Sequence, residues 1–202
     1  YVDNFDGILF VQPMNKDIKG KGFVNEGVVS TKLGLKGIPA MAEEIEIERN
    51  IALLEYTNGK LHIPTITTKN SVDLIARAQA RGLQITCGVS VNSLVLTDEE
   101  LVDFNSSTKI YPPLRTETDR KALIEGVLNN VISVITSDHC PVNIEQKQLE
   151  YDLADYGSIG LESAFGALQT ILPTEGTVEK FTSKKSYFNI ENQPISERNK
   201  AE

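Results

Sequence analysis

The segment that most constrains the fold is Val131–Pro141, where an apolar, β-branched run ends at an aspartate, a histidine and a proline. A continuous apolar run of this kind predicts a strand that is buried on both faces, as in a parallel sheet. Pro141 has no backbone N–H to donate, so the strand must end before it. We therefore expect Asp138 at the carboxyl end of a buried parallel strand, where (β/α)8 barrels build their active sites.

The rest of the chain alternates between predicted strands and predicted helices. We predict strands over about 6–12, 60–66, 83–89 and 131–136, and helices over about 39–56, 71–81, 116–130 and 161–172. Four β/α units in succession predict a parallel α/β sheet with its helices outside, which is half of a (β/α)8 barrel. Half a barrel has two open edges, so we expect further strands from the same polypeptide or from a partner.

Three local patterns lead to further predictions. The glycine- and lysine-rich stretch Asn15–Gly37 is predicted to be a surface loop, since it lacks the spacing of a phosphate-binding P-loop. Thr97–Glu100 predicts a capping box at the start of a short helix. An acidic series is predicted to form a solvated helix face. That series consists of Glu43, Glu44, Glu46 and Glu48.

Composition excludes several classes of function. A net charge of −8 and a pI near 4.9 argue against a nucleic-acid partner, which needs a basic surface. No apolar run approaches the roughly 20 residues that a membrane-spanning helix requires, and no signal peptide is recognisable. Two cysteines, Cys87 and Cys140, lie in strand-like or strand-end segments and predict a cytoplasmic location rather than a disulfide framework. We expect Cys140 to be a small buried thiol rather than a ligand or nucleophile. Because the chain begins at Tyr1 and soon reaches a strand, we expect further residues before it.

Six segments resemble, in order and at matching spacing, motifs from the second half of the dihydroorotases of the amidohydrolase superfamily. The first three are Gly37–Glu44 (G-I-P-x-x-A-E-E in the family), Lys60–Val72 (H-I-x-H-V-S-T-x-x-S-V) and Leu94–Leu101 (L-x-L-T-D-E-x-L). The other three are Tyr111–Arg115 (N-P-P-L-R), Ser137–Val142 (T-D-H-A-P-H) and Gly160–Ala164 (G-L-E-T-A). Any one of these matches is weak, whereas the ordered set is highly specific.

The resemblance implies a (β/α)8 TIM barrel of the metal-dependent hydrolase type, with this chain covering about strands 5–8. Residues 1–175 would form that C-terminal half, and residues 176–202 a tail leading toward a small accessory β domain. It also implies a role in pyrimidine biosynthesis, where a metal-bound hydroxide attacks the cyclic amide of dihydroorotate. In the family the aspartate at strand eight, matched here by Asp138, binds metal and carries the proton.

The chain departs from the family at the positions that carry this chemistry. Gln12 and Thr65 stand where the family has zinc-binding histidines, and a histidine pair is replaced by Asn92–Ser93. Amide and hydroxyl oxygens are poor zinc ligands beside imidazole. We therefore expect no cofactor in this half, or zinc if the site functions after all, with Asp138 as its ligand.

Several candidate site residues keep two interpretations. Asp138 is a catalytic residue, or a carboxylate that is hydrogen-bonded to nearby backbone amides. Arg115, Tyr111 and Val142 occupy substrate-pocket positions of the family, although Arg115 could equally form a structural ion pair. The chain's two histidines, His62 and His139, are not at ligand positions. We expect His62 to be an inward core histidine and His139 to be a packed, hydrogen-bonded residue.

Three functions remain open from the sequence. The first is an inactive dihydroorotase homologue that acts as a scaffold or regulatory subunit, with aspartate transcarbamoylase or a second copy of itself as partner. The alternative is an active amidohydrolase that cleaves the C–N bond of a cyclic amide with an atypical metal site. The third is a binding module that uses the altered pocket for a small molecule.

Overall fold

The computed structural model describes residues 6–172, so the predicted tail over 176–202 lies outside the described residues. The strands are β1 (Leu9–Phe10), β2 (Val24–Asn25), β3 (Gly37–Ile38), β4 (Leu61–Ile63), β5 (Ile85–Ser90) and β6 (Val134–Thr136). The helices are α1 (Lys16–Lys19), α2 (Val28–Leu33), α3 (Met41–Thr57), α4 (Lys69–Ala80), α5 (Val91–Val95), α6 (Glu117–Leu128), α7 (Ile144–Lys147) and α8 (Ala164–Ile171). Between residues 6 and 172, none of the helices has both the length and the hydropathy to span a bilayer.

The main sheet is parallel and has the strand order β1-β4-β5-β6. Phe10 lies opposite His62, His62 lies opposite Thr86, and Val89 lies opposite Ile135. Strands that follow one another around the sheet are joined through helices, so the expected α/β architecture of a partial (β/α) barrel is confirmed.

The two faces of this sheet have different surroundings. Ile63, Cys87 and Val89 point to the outer face and join one buried cluster with side chains of the surrounding helices. Those helical side chains include Ile47, Ile51 and Leu54 of α3, Ile75 of α4 and Leu123 and Val127 of α6. Because side chains alternate along a strand, Phe10, His62 and Thr86 share the opposite face, which corresponds to the interior of a barrel.

The longer helices agree with the predicted ones to within two residues at most ends. α3 ends where Asn58 adopts a left-handed conformation, and α6 begins with a reciprocal capping box between Thr116 and Asp119. The predicted capping box at Thr97 was wrong in part. Thr97 accepts a hydrogen bond from the Glu99 N–H, but the element that follows is the 3-10 helix Asp98–Leu101 without a reciprocal bond.

The stretch Asn15–Gly37 is not the irregular loop that its glycines indicated. It contains α1, β2, α2 and the first residue of β3, and β2 pairs with β3 as a small parallel sheet. Its apolar side chains have a separate core in which Val24 packs with Leu101 and Tyr151. Gly22 permits the close approach of these strands, because a Cβ there would lie 2.2 Å from the Gly37 carbonyl oxygen. Each element is shorter than the window in which periodicity becomes visible.

The predicted solvated acidic face of α3 was also wrong in part. Glu43 is fully buried and Glu46 is nearly so, whereas Glu48 is exposed. Buried carboxylates need hydrogen-bond partners, and both residues have them. Glu46 accepts from the Asn15 side chain, and Glu43 accepts from residues that follow β4. Sequence alone gave no sign of these distant donors.

Candidate functional site

The candidate site lies at the carboxyl edge of the main sheet. Because the four strands are parallel, the residues that follow them emerge at the same edge. Gln12 follows β1, Thr65 follows β4, Asn92 follows β5 and Asp138 follows β6. The structure therefore places these four positions at one edge of the sheet, as the order of strands and helices in the sequence predicts.

Asp138 is the one carboxylate among these four positions, and its surroundings favour the neutral form. It is half-buried, and its backbone has a positive φ of 49°, a conformation that aspartate tolerates better than most residues. Burial raises the pKa of Asp138, and a hydrogen bond with the Ser90 side chain acts in the opposite direction. Ser90, at the end of β5, is a site residue that the sequence analysis missed, because a strand-terminal serine carries no distinguishing pattern.

The segment after β6 folds back over the edge and supplies a second missed residue, Ser158. The Asn92 side-chain amide donates to the Ser158 hydroxyl at 2.9 Å, and the Cys140 N–H donates to the Ser158 carbonyl at 2.9 Å. Gly160 allows this return, since a Cβ there would lie 2.2 Å from the Ser137 carbonyl oxygen. Asn92 therefore acts as a hydrogen-bond donor within the protein.

Tyr111, at a predicted substrate position, lies in an aromatic cluster. Its ring meets that of Tyr156 edge-on at a centroid distance of 5.5 Å, and the Lys19 ammonium lies 5.5 Å from its centroid. Burial raises the pKa of Tyr111 and raises that of Tyr156 to about 12, so both hydroxyls stay protonated at neutral pH. Beside Tyr156, Val142 lines an open cavity of about 400 Å³ with Asn143, Gln146 and Asp155.

A buried lysine fixes the segment that carries Tyr156, and sequence reasoning missed it. The Lys109 ammonium donates to three backbone carbonyls, those of Tyr151, Asp152 and Ala154, at 2.7, 3.1 and 2.6 Å. It also lies 5.0 to 5.5 Å from the centroids of three aromatic rings. Burial lowers the pKa of Lys109 despite the nearby carboxylates of Asp152 and Asp155. The lysine therefore fixes the loop 151–156 through hydrogen bonds to its backbone.

Arg115, the other predicted substrate residue, lies in a buried polar network with Asn25, Glu43, Thr67 and Asp98. Its guanidinium donates to the Thr67 hydroxyl at 3.1 Å, to the Asn25 side chain at 2.8 Å and to the Ile38 carbonyl at 2.7 Å. Asn25 in turn donates to Asp98 at 2.7 Å, and Thr67 donates to Glu43 through its hydroxyl and its N–H. Most of the hydrogen-bonding capacity of Arg115 is thus used inside the protein. Its Nη2 atom has no partner among the described residues.

The remaining candidates occupy ordinary structural positions. His62 is buried and its Nδ1 lies 2.8 Å from the Thr86 hydroxyl, and burial lowers its pKa, in agreement with a core histidine. His139 accepts a hydrogen bond from the Leu161 N–H, as predicted, but it is exposed, so the prediction that it is packed was wrong. Cys87 is buried with a pKa raised to about 12, whereas Cys140 is exposed, so its predicted burial was wrong. The strand β6 already ends at Thr136, and the segment that follows leaves the Cys140 side chain exposed.

The donor set at this edge does not fit a zinc ion. Gln12, Thr65 and Asn92 offer neutral amide or hydroxyl oxygens, and Asp138 is the one anionic ligand among the four. Within residues 6–172, no cluster of three or more histidine, cysteine, aspartate or glutamate side chains is arranged to hold a metal. Zinc sites in proteins are built from imidazole, thiolate and carboxylate ligands, usually three or four of them. These residues can bind hydrogen-bonding groups, and Asp138 can exchange a proton.

Comparison with curated proteins finds dihydroorotases. The chain is 43% identical to the dihydroorotase of Thermoanaerobacter sp. (strain X514) over 178 residues, which is 88% of this chain and 41% of that protein. It is 44% identical to the dihydroorotase of Pelotomaculum thermopropionicum over 164 residues, which is 81% of this chain and 38% of that protein. The chain therefore spans about two fifths of the length of these relatives. No protein-family model matches it.

Comparison with solved structures finds the same kind of fold. A D-hydantoinase crystal structure superimposes with a TM-score of 0.74 at 20% identity, over 89% of this chain and 42% of that one. The dihydroorotase of Saccharomyces cerevisiae, solved with 5-fluoroorotic acid, gives a TM-score of 0.70 at 16% identity, over 94% of this chain and 50% of that one. At these identities the structures establish the fold alone, which is a partial (β/α) barrel.

Proposed function

The chain is a homologue of the dihydroorotases of the amidohydrolase superfamily, and from this premise we propose that it belongs to a catalytically inactive protein of pyrimidine biosynthesis. In this proposal it forms about strands 5–8 of an eight-stranded barrel, in the cytoplasm, and acts as a scaffold or regulatory subunit. The observation that carries the proposal is the donor set at the carboxyl edge of the sheet. Two positions where the family has zinc-binding histidines hold Gln12 and Thr65, and Asn92–Ser93 replace a histidine pair.

The open edges of the sheet support the proposal that this chain is part of a complete barrel. β1 is the outer strand on one side, and Ile8, Leu9 and Phe10 beside it are exposed although they are apolar. Unpaired strand edges with apolar side chains are normally covered. In the proposed protein, further strands pair with β1 and β6, and their side chains cover Phe10 and Thr86 on the inner face.

Because several of the family's histidines are replaced at once, we propose a loss of activity rather than only a weaker binding of zinc. A catalytic zinc needs three protein ligands that leave one position for water, and it lowers the pKa of that water to generate the nucleophile. Asp138 alone does not supply such a site. Ligands from the other half of a barrel would still lack the histidine partners that the family has after β1 and β4.

The test measures metal and turnover on the full-length protein. After purification in zinc-containing buffer and removal of free metal, we expect far less than one zinc per chain. We expect dihydroorotate hydrolysis to be roughly 1,000-fold or more below that of the Thermoanaerobacter relative assayed in parallel. Stoichiometric zinc together with turnover would overturn the proposal.

The scaffold role has its own test. Aspartate transcarbamoylase from the same organism is the proposed partner, and mixing the two purified proteins should give a complex in sedimentation experiments. The single proteins serve as controls. Separate sedimentation of the two proteins at micromolar concentrations would remove this partner while leaving the inactivity result untouched.

A second candidate function, an active amidohydrolase with an atypical site, has one observation in its favour. Asp138 is a half-buried carboxyl group with a raised pKa at a strand end, the environment in which carboxyl groups serve as acids or bases. The test is a screen of cyclic amides and ureides with Asp138→Asn as the matched variant. Turnover that falls at least about 100-fold in this variant would favour the candidate. An unchanged rate would remove Asp138 from any mechanism.

A further inference from the structure

A groove of about 690 Å³ lies between α2 and the first turn of α6, and the 3-10 helix Asp98–Leu101 borders it. Sites that bind small molecules usually have volumes of about 300–1,000 Å³. The four strand-end positions do not line this groove, and neither do Tyr111 and Val142. The groove is therefore separate from the candidate site at the carboxyl edge of the sheet.

The walls of the groove are largely apolar. Val29 and Leu33 of α2 line it and also pack against the small core around Val24, which fixes their positions. Val28 and Val102 line it as well, and they are 70% and 58% exposed although both are apolar. Apolar walls that surround a few polar groups are the usual construction of a small-molecule site.

Asp98 is the buried polar group of this groove. Its side chain is part of the lining, yet the residue is only 5% exposed. One carboxylate oxygen accepts a hydrogen bond from the Asn25 side-chain amide at 2.7 Å, and the other has no donor among residues 6–172. Arg115 bonds to Asn25 and not to Asp98 itself. Because a buried carboxylate is normally paired with a cation, Asp98 favours a cationic group in the groove.

The other charges of the lining point the same way. Glu99, beside Asp98, is exposed and forms no ion pair with the described residues. Glu117 also lines the groove, but it accepts hydrogen bonds of 2.6 and 2.8 Å from Arg120, so its charge is already compensated. Lys32 of α2 supplies a positive charge to the lining. The uncompensated carboxylates of Asp98 and Glu99 outnumber it, so a cation is favoured over an anion.

We propose that this groove binds a small organic cation, a molecule that carries a protonated amine on an apolar body. The ammonium group donates to the Asp98 carboxylate, and a hydrogen bond between two charged groups is stronger than a neutral one. The apolar body packs against Val28, Leu33 and Val102. An inorganic cation would gain nothing from these walls, and an apolar molecule without a charge would leave Asp98 unpaired.

The test is calorimetric titration of the full-length protein with three indole compounds that differ in charge. Tryptamine, which is cationic at neutral pH, should bind with a dissociation constant of about 1 mM or lower, as expected for a ligand of its size. Tryptophol replaces the amine with a neutral hydroxyl and should bind at least about 10-fold more weakly. Indole propionate is anionic and should not bind in the same range.

Two variants locate the binding. Asp98→Asn keeps the size of the side chain and an oxygen that can accept from Asn25. It should weaken tryptamine at least about 10-fold and leave tryptophol unchanged. Val102→Lys changes an exposed residue outside the buried network, so it tests the groove even if Asp98→Asn fails to fold. It places a like charge beside the amine and should weaken tryptamine about threefold or more.

Ile144→Lys provides the matched control, because Ile144 is 65% exposed on α7 and does not line the groove. This variant should bind tryptamine as the wild type does. The proposal is overturned if tryptamine fails to bind in the millimolar range, if tryptamine and tryptophol bind equally, or if Val102→Lys binds like the control. None of these results depends on zinc content or hydrolysis, so this inference and the proposed function can fail separately.

Discussion

The buried network around Arg115 and the strand-end site around Asp138 are both polar, but they differ in how fully their groups are bonded. In the network, Glu43 accepts hydrogen bonds from Thr67, Thr68 and Ser71, and Arg115 donates to three different segments. At the strand ends, Gln12 is exposed and Asp138 is only half-buried. The network has the character of a structural core, whereas the strand ends remain open to solvent.

The difference shows what the matching motifs in this chain encode. Glu43, Asp98 and Arg115 come from three separate segments that resemble the dihydroorotases, and the structure brings all three together in the network. At the strand ends, Gln12, Thr65 and Asn92 depart from the family, and Asp138 matches it. The three matching residues of the network are held by folding, because an unpartnered buried charge is costly. Residues at the open edge carry no such constraint.

The sharpest test of this comparison is Arg115→Leu. Loss of the guanidinium leaves the Asn25 oxygen and the Ile38 carbonyl without their donors and removes the positive charge beside buried Glu43 and Asp98. We expect the free energy of unfolding to fall by about 3–5 kcal/mol, measured by urea denaturation. Arg81→Leu, which breaks an exposed pair with Glu55, should cost less than about 1 kcal/mol. Equal losses in the two variants would refute the structural role of Arg115.

A more conservative substitution in the network removes the charge of a side chain but keeps its size. Glu43→Gln keeps the size of the side chain but replaces an acceptor of four hydrogen bonds with an amide. We expect a loss of about 2 kcal/mol, since bonds to a charged group are stronger than neutral ones. Glu44→Gln, on the neighbouring half-buried residue, should change the unfolding free energy by less than about 0.5 kcal/mol. If the two variants behave alike, the carboxylate of Glu43 is not essential to the network.

His62 extends the comparison into the sheet, below the strand ends. Its pKa is lowered by burial from 6.5, so the folded protein resists protonation of the ring and loses stability as the pH falls through about 6.5. The His62→Gln variant has no ionisable group at this position, so it lacks this pH-dependent loss of stability. The difference in unfolding free energy between wild type and variant should therefore change between pH 7.5 and 5, with the wild type losing stability relative to the variant as the pH falls. A constant difference between wild type and His62→Gln over this pH range would contradict the assignment.

The fold was predictable because its signals are local. β-branched runs such as Val134–Thr136 and caps such as Thr116 and Asn58 act over a few residues, so the main strands and the longer helices agree with the sequence analysis. The burial of Glu43 was not predictable, because its donors lie 24 to 28 residues away in the chain. Short elements such as β2 and α2 were missed for a related reason, since their core partners Leu101 and Tyr151 are distant.

The site was predictable only as a set of positions. Parallel strands place Gln12, Thr65, Asn92 and Asp138 at one edge whatever their side chains are, so the sequence located them correctly. What each side chain contacts depends on the segment after β6. That segment brings Ser158 to Asn92 and Tyr156 to Tyr111, and its own course depends on the buried Lys109. A lysine that bonds backbone carbonyls leaves no recognisable motif.

The smallest expected effect comes from Asp138→Asn. It decides whether the strand ends lack a bound metal or form a functional metal site. Burial raises the pKa of Asp138, so folding is opposed once the pH exceeds the ordinary aspartate pKa of 3.8, when the unfolded chain releases its proton more readily. Asparagine carries no charge and also tolerates the positive φ. The variant should therefore be slightly more stable than wild type at pH 7, by less than about 1 kcal/mol after allowance for solvent screening, and the advantage should vanish near pH 3. Asp73→Asn, on the exposed side of α4, provides the control. The opposite result would be an Asp138→Asn variant that is less stable than wild type at pH 7, with a difference that disappears when zinc is chelated. It would mean that Asp138 binds metal and that the open strand ends are a functional site.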